Sequence, residues 1–225
     1  MNLGDSVNIF DIIGPVMIGP SSSHTAGAIR IARVARMLLG EEVAKALIKL
    51  HGSFAETYLG HGTDKAIIGG LLNFDTDDIR IRDSIQLAEE AGMQYTFETT
   101  DLGEVHPNTA YIEVTGRSGR SISVMGSSIG GGNIVITRIN GLEVEFTGQY
   151  HTLVIQHRDK PGMVARVSGI LSGSSINIAS MKVYRTSRGG NAIMVIETDD
   201  YVDGNISEII KQIPDIFEAT SLHKL

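Results

Sequence analysis

Hydroxyl and imidazole groups crowd one short stretch of the sequence, residues 19–25. The four hydroxyls belong to Ser21, Ser22, Ser23 and Thr25, and the imidazole belongs to His24. Hydroxyls can donate hydrogen bonds to a small polar ligand, and a histidine can also accept a proton near neutral pH. The stretch therefore indicates a site for an anion or an amino acid. A simple helix cap with a polar loop ahead of it is the alternative.

An amphipathic helix is predicted directly after this stretch, over residues 26–39. Apolar side chains recur there at helical spacing, at Ala28, Ile31, Ala32, Ala35, Leu38 and Leu39. A Ser or Thr just before such a run is the usual N-cap, and Gly40 is the expected C-cap. Because a helix start carries partial positive charge and unpaired N–H groups, it suits a carboxylate or a phosphate.

A second helix start also presents several chemical groups close together. His61 precedes Thr63 and Asp64, and apolar residues 66–72 follow. We predict that Thr63 caps a short helix here and that His61 lies in a polar loop. A strand is predicted just upstream, at residues 46–51, so His51 stands at its end.

Two further segments have polar or flexible character. Asn108 follows His106 just before a predicted strand, and residues 126–132 hold four glycines, enough to let backbone approach a ligand. Each is ambiguous alone, since turns use the same residues, and any single histidine is more often structural than catalytic. The histidine spacings do not match a helical metal pair, so a zinc site built by this chain alone is not expected.

Composition restricts the class of protein. The chain has 225 residues, 42% hydrophobic, with a formal net charge of −7 and no cysteine. Its first 150 residues contain 11 basic and 18 acidic residues, which is unlike a nucleic-acid-binding surface. No apolar run approaches the ~20 residues that span a bilayer. No basic residue precedes Arg30, which argues against a signal peptide, so a cytoplasmic location is expected.

Two domains of α+β character are predicted. Residues 1–148 combine helices, the first at 6–13, with an antiparallel sheet that contains a hairpin at Asn140-Gly141. Residues 150–225 follow the order βαββαβ, which is the ferredoxin-like plan.

The second of these segments resembles an ACT domain. Its Asp159-Lys160-Pro161-Gly162-Met163-Val164-Ala165 stretch matches the signature turn and helix start of that family. The resemblance implies side-by-side pairing of two copies and an amino-acid effector near Asp159, Gly162 and Met163. A module used for dimerisation alone is the alternative.

The whole chain resembles the β subunits of two-subunit, iron–sulfur-dependent L-serine dehydratases. The resemblance depends on residues 19–25, 51–53, 60–65, 106–109 and 129–132 together with the ACT module. It implies dehydration of L-serine to pyruvate and ammonia with a [4Fe–4S] cluster. Because a cluster needs thiolate ligands and this chain has none, the cluster is expected on a separate α subunit.

Roles for the residues follow as hypotheses. Ser21, Ser22, Ser23 and Thr25 are expected to hold the serine carboxylate, and Thr63, Asp64 and Asn108 to contribute to substrate binding. His61 is the first candidate for the base that removes the α-proton, and His24 is the second; Asp64 could orient a histidine. A stand-alone amino-acid-sensing module, like the regulatory domains of some phosphoglycerate dehydrogenases, is the competing interpretation.

Overall fold

A computed structural model describes residues 17–19 and 21–225, so the helix predicted at residues 6–13 lies outside the described part. Within that part the strands form two sheets, one of six strands and one of four, with helices packed on both. The predicted α+β class with a ferredoxin-like second unit is confirmed. Among the described residues, every helix falls short of the length and apolar content that a membrane span requires.

The six-stranded sheet has the order β2-β1-β3-β4-β5-β6. Its strands are β1 Val43–Leu50, β2 Gln94–Thr99, β3 Thr109–Gly116, β4 Ser121–Gly130, β5 Asn133–Ile139 and β6 Leu142–Phe146. The pairs are antiparallel as predicted except β1 with β2, which is parallel. The β5–β6 hairpin turns at Asn140 and Gly141, both at positive φ as a type I′ turn requires.

Four α-helices accompany this sheet in the described residues: α1 Gly27–Leu39, α2 Gly52–His61, α3 Thr63–Leu71 and α4 Ser84–Glu90, with a 3₁₀ segment at Ile79–Asp83. Helix α1 packs on β3 and β4 and against α3. Its predicted apolar face is buried, and Gly40 ends it in the left-handed conformation. Apolar periodicity therefore predicted this helix correctly.

The polar segments are more regular than predicted. The helical backbone begins at Ser22, not at residue 26, because a π-helical turn, Ser22–Ala26, runs straight into α1. Residues 52–61 form α2, so His61 lies in a helix and not in the predicted polar loop, and Thr63 is the first residue of α3 rather than its cap. Strand β4 extends through Gly130 into the glycine run. Tertiary pairing holds these segments in place although their local sequence favours loops.

The second sheet has the order β10-β7-β9-β8, all antiparallel. Its elements are β7 His151–Arg158, α5 Met163–Gly173, β8 Ile178–Arg185, β9 Asn191–Thr198, α6 Gly204–Lys211 and β10 Ile216–Leu222. One face of the sheet buries Leu153 and Ile155 with α5 and α6. The other face buries Val154 and Val195 in the core of the first sheet. The two sheets therefore share buried apolar surface.

Candidate functional site

The predicted polar segments converge on one edge of the six-stranded sheet. β1 ends at Leu50 beside Ala110, and Thr109 at the start of β3 pairs with Ser127 near the end of β4. Antiparallel pairing therefore puts the end of β1, the start of β3 and the end of β4 together. Helix α1 begins above this place, which we call the polar edge.

Two glycines allow the close contacts that build the polar edge. A Cβ on Gly27 would lie 2.1 Å from Ser128 Oγ, so a side chain there would push α1 away from β4. A Cβ on Gly52 would lie 2.7 Å from the carbonyl oxygen of Pro107, where α2 begins against the segment leading into β3. The start of each helix is thus seated directly on a strand or loop of the sheet.

His24 is held by hydroxyls at both ring nitrogens. Ser21 Oγ lies 3.3 Å from His24 Nδ1, and Ser53 Oγ, in the first turn of α2, lies 3.0 Å from His24 Nε2. Ser21 Oγ also accepts the backbone N–H of His24, so it is the residue that caps the helix. The hydroxyl stretch therefore orients an imidazole as well as starting a helix.

His24 and His61 form a pair. Their rings meet edge to face, with centroids 4.7 Å apart. Burial, followed by the nearby His61, lowers the pKa of His24 below its ordinary value. His24 is therefore neutral at neutral pH. His61 belongs to the last turn of α2, and its Nδ1 is buried with no hydrogen-bond partner in the described part of the chain.

A cavity of about 420 Å³ opens beside this pair. Thr25 and His61 contribute to its wall, and Lys65 from α3 and Arg82 from the 3₁₀ segment complete the polar lining. Ile18 is among its apolar contacts, and the Ile18 backbone N–H is bonded to the Thr76 carbonyl oxygen at 2.9 Å. The volume is sufficient for a small amino acid.

Several buried polar atoms of this region have no hydrogen-bond partner among the described residues: Thr25 Oγ1, His61 Nδ1, Thr63 Oγ1, Asp64 Oδ1, Asn108 Oδ1 and Ser128 Oγ. A buried polar group left unpaired costs about 1–3 kcal/mol. All but Ser128 were predicted site residues. Such a concentration of unused hydrogen-bonding capacity is typical of a functional region.

The structure brings only some of the predicted residues to the cavity. Thr25 and His61 line it, His24 contacts His61, and Ser21 is engaged with His24. Ser22 and Ser23 are half-buried in the π-helical turn.

The other three predicted residues do not line the cavity. Thr63 and Asp64 are in the first turn of α3, and no ion pair joins Asp64 to either histidine in the described chain. Asn108 is at the polar edge, where its carbonyl oxygen accepts the Ser128 N–H at 2.9 Å.

Sequence reasoning missed three residues of this region. Ser53 and Lys65 lie inside motifs that were recognised, so the signal was there but no role was assigned to it. Arg82 lies in a 3₁₀ segment with no motif, and only the packing of that segment beside α3 brings it to the cavity.

The chain does not suit an iron–sulfur cluster by itself. It has no cysteine, and the described residues contain no group of three His, Asp or Glu side chains that could hold a metal ion. The donor set therefore does not fit the cofactor that the family resemblance implies, and thiolates would have to come from another chain.

The residues predicted to bind an effector in the ACT domain already make contacts within the domain. Asp159 accepts hydrogen bonds from the Gly189 N–H at 3.0 Å and from Arg185 at 2.9 Å, and these bonds lower the pKa of its carboxyl. Gly162 precedes α5 in the left-handed conformation, and the Met163 side chain is buried in the core of the second sheet. Both bonds end on Asp159 Oδ2, so this oxygen ties the turn to the β8–β9 hairpin.

Comparisons with known proteins show similarity to two protein families. The Serine dehydratase beta chain family matches residues 8–96, and the ACT domain family matches residues 151–215. The probable L-serine dehydratase beta chain of Bacillus subtilis (strain 168) is 49% identical over 96% of this chain and 97% of its own length. The L-serine dehydratase beta chain of Peptoniphilus asaccharolyticus is 44% identical over 84% of this chain and 86% of its own.

A third relative belongs to another group. D-3-phosphoglycerate dehydrogenase of Bacillus subtilis (strain 168) is 28% identical over 83% of this chain but only 35% of its own length. The two dehydratase beta chains, by contrast, are matched over most of both partners at much higher identity. The chain therefore belongs to the family of L-serine dehydratase beta chains.

Proposed function

We propose that this chain forms the substrate-binding half of an L-serine dehydratase, which removes water from L-serine to give pyruvate and ammonia. The observation that carries the proposal is the His24–His61 pair beside a cavity at the start of a helix. A neutral, hydroxyl-held imidazole next to a second imidazole is suited to moving a proton, and the cavity is suited to an amino acid.

His61 is the proposed base. It lines the cavity, while its Nδ1 is buried, so Nε2 is the ring nitrogen left to accept the α-proton. His24 is the proposed positioning residue, because both of its nitrogens are occupied by serine hydroxyls and its ring packs edge-on against His61. Proton transfer by a positioned base contributes roughly 10²–10⁴-fold to a rate.

The hydroxyl stretch is proposed to help bind the amino acid, with its members in different roles. Ser22 and Ser23 keep the predicted role at the helix start, where the partial positive charge favours a carboxylate. Ser21 is occupied by His24. Thr25 Oγ1 is covered, since a Cβ on Gly19 would lie 2.4 Å from it. Asn108, Thr63 and Asp64 remain proposed contributors through their unpaired buried oxygens.

A separate α subunit is proposed to carry the [4Fe–4S] cluster, since this chain offers no thiolate. We also propose that the complex is cytoplasmic and that the ACT module pairs side by side with a second copy. An amino-acid effector at the Asp159–Met163 turn stays a proposal as well.

Co-expression with a cysteine-rich partner subunit tests the proposal. We expect the two chains to co-purify and to release pyruvate from L-serine in an anaerobic assay. The similarity to D-3-phosphoglycerate dehydrogenase favours a second candidate, an amino-acid-sensing module. That candidate predicts L-serine binding by this chain without any co-purifying partner and without turnover.

A further inference from the structure

Two basic residues stand out in the cavity beside the histidine pair. Lys65 comes from the first turn of α3 and Arg82 from the 3₁₀ segment, so two separate elements direct positive charge to one place. The described residues that line the cavity include no carboxylate. Both side chains belong to exposed residues, so neither pays the penalty of burying a charge.

The lining of the cavity is positively charged, whereas the first 150 residues as a whole carry a net negative charge. The first 150 residues hold 11 basic against 18 acidic residues. Six of those basic residues form ion pairs with carboxylates: Arg33, Lys49, Arg80, Arg117, Arg120 and Arg138. Lys65 and Arg82 form none within the described part of the chain. Their charges are therefore available to a ligand.

The position of Lys65 is unfavourable without an anion nearby. Cations are disfavoured in the first turn of a helix, where the macrodipole is positive, and Lys65 is the third residue of α3. Asp64 offsets part of this repulsion, but it does not line the cavity. An anion bound in the cavity that Lys65 and Arg82 both line would offset this repulsion.

Two of the hydroxyls first expected to bind a carboxylate are poorly placed for it, one because it is already hydrogen-bonded and one because it is buried. Ser21 holds His24, and Thr25 Oγ1 is covered by Gly19. The strongest partners that the cavity offers a carboxylate are therefore its two cations, Lys65 and Arg82. The geometry points to Lys65 and Arg82 as the pair that binds the carboxylate of the amino-acid substrate and fixes the position of its α-carbon relative to His61. This inference rests on the proposed function and names the carboxylate subsite of that same cavity.

Substitution of each cation in the α/β complex tests the inference. For Lys65→Gln and Arg82→Gln we expect KM for L-serine to rise about tenfold, with kcat within about threefold, as for loss of a hydrogen bond to a charged group. Lys65→Arg and Arg82→Lys should restore most of the affinity. Arg80→Gln is the matched control, because Arg80 is an exposed cation two residues from Arg82 that pairs with Asp78 and does not line the cavity.

A substrate analogue gives a second readout. L-serinamide lacks the carboxylate charge, so its competition with L-serine should be weak in the wild-type complex. Its inhibition constant should change less than twofold in Lys65→Gln and Arg82→Gln. Unchanged KM in both variants, or the same KM change in Arg80→Gln, would overturn the inference.

Direct binding separates this inference from the proposed function. Calorimetry of the full chain with L-serine measures the subsite without turnover. If the wild-type complex is inactive but L-serine binding is lost in Arg82→Gln and Lys65→Gln, the catalytic proposal fails and the carboxylate subsite stands. If the complex is active and neither variant differs from Arg80→Gln in KM or binding, the subsite fails and the catalytic proposal stands.

Discussion

Two helix starts in this chain were predicted to receive an amino acid, and the structure equips them differently. In the region around the start of α1, buried atoms of Thr25, of His61 from the end of α2 and of Asn108 before β3 have no partner among the described residues. At the start of α5, the Asp159 carboxylate is bonded to Gly189 and Arg185. The sequences of both stretches suggest the same anion-binding geometry. The two helix starts therefore differ in how many polar groups their surroundings leave unsatisfied, although their local sequences are alike.

The largest effect should come from removing the proposed base. For His61→Ala we expect kcat of the reconstituted complex to fall by about 10²–10⁴-fold, as for loss of a general base. His223→Ala is the control, since His223 is an exposed histidine near the C-terminus, outside the cavity. Pyruvate formation under anaerobic conditions is the measurement. Turnover within threefold of wild type would show that His61 is not the base. The unsatisfied groups near α1 would then have no demonstrated role in catalysis.

The contact beneath α1 should be the next most sensitive feature. Gly27→Ala places a Cβ 2.1 Å from Ser128 Oγ, so we expect the free energy of unfolding to fall by about 1–3 kcal/mol, as for overpacking. Turnover should fall as well, because the π-helical turn that carries His24 runs directly into α1. Gly204→Ala is the matched control. Gly204 is the first residue of α6 and has open space around it.

Denaturant unfolding and the anaerobic assay measure both variants of this pair. Gly204→Ala should be neutral or more stable by up to about 1 kcal/mol, since alanine is the better helix residue. Equal destabilisation of the two variants would show that the close contact between Gly27 and Ser128 does not contribute specifically to stability.

A smaller effect is expected from the hydroxyl that holds His24. Ser53→Ala removes the hydrogen bond at His24 Nε2, and loss of about 1 kcal/mol corresponds to a fall in kcat of about fivefold. Because Ser53 positions another residue, the acid limb of the kcat pH profile should also move. Ser168→Ala in α5 is the control. A change in KM alone, with an unmoved pH profile, would contradict the positioning role.

The two helix starts should also respond to acid in different pH ranges, with the smallest effect of the series. The pKa of His24 is below 6.5, so the unfolded chain binds more protons than the folded chain between that lowered value and about pH 6.5. Stability at the polar edge is therefore full above pH 6.5 and is lost as the pH falls towards the lowered pKa.

The Asp159 carboxyl behaves in the same sense but in a more acidic range. Its pKa is below 3.8, so its contribution is full above that value and is lost only as the pH falls further. Unfolding of wild type and His24→Asn from pH 7.5 to 5 isolates the first range, since His151 also has a pKa lowered by burial and remains in both proteins. Parallel stability curves would show that His24 does not titrate as proposed.

The amino-acid sequence determined a large part of this protein by itself. Apolar periodicity predicted α1, and alternation with turn residues predicted the strands of both sheets, because these patterns depend on neighbours within one element. The motifs also indicated the family and the hydroxyl and histidine groups. The missing cysteines showed that the thiolates of an iron–sulfur cluster would have to come from another chain.

Only the tertiary structure decided which of those groups meet. Residues 52–61 form a helix that carries Ser53 to His24 at one end and His61 to the cavity at the other. Arg82 reaches the same cavity from a segment without a motif. Thr25, although in the motif, has its hydroxyl covered by Gly19, and Asp159 is bonded into a hairpin. These contacts join residues that are distant in the chain. Local residue patterns cannot predict them, because they depend on how separate elements pack together.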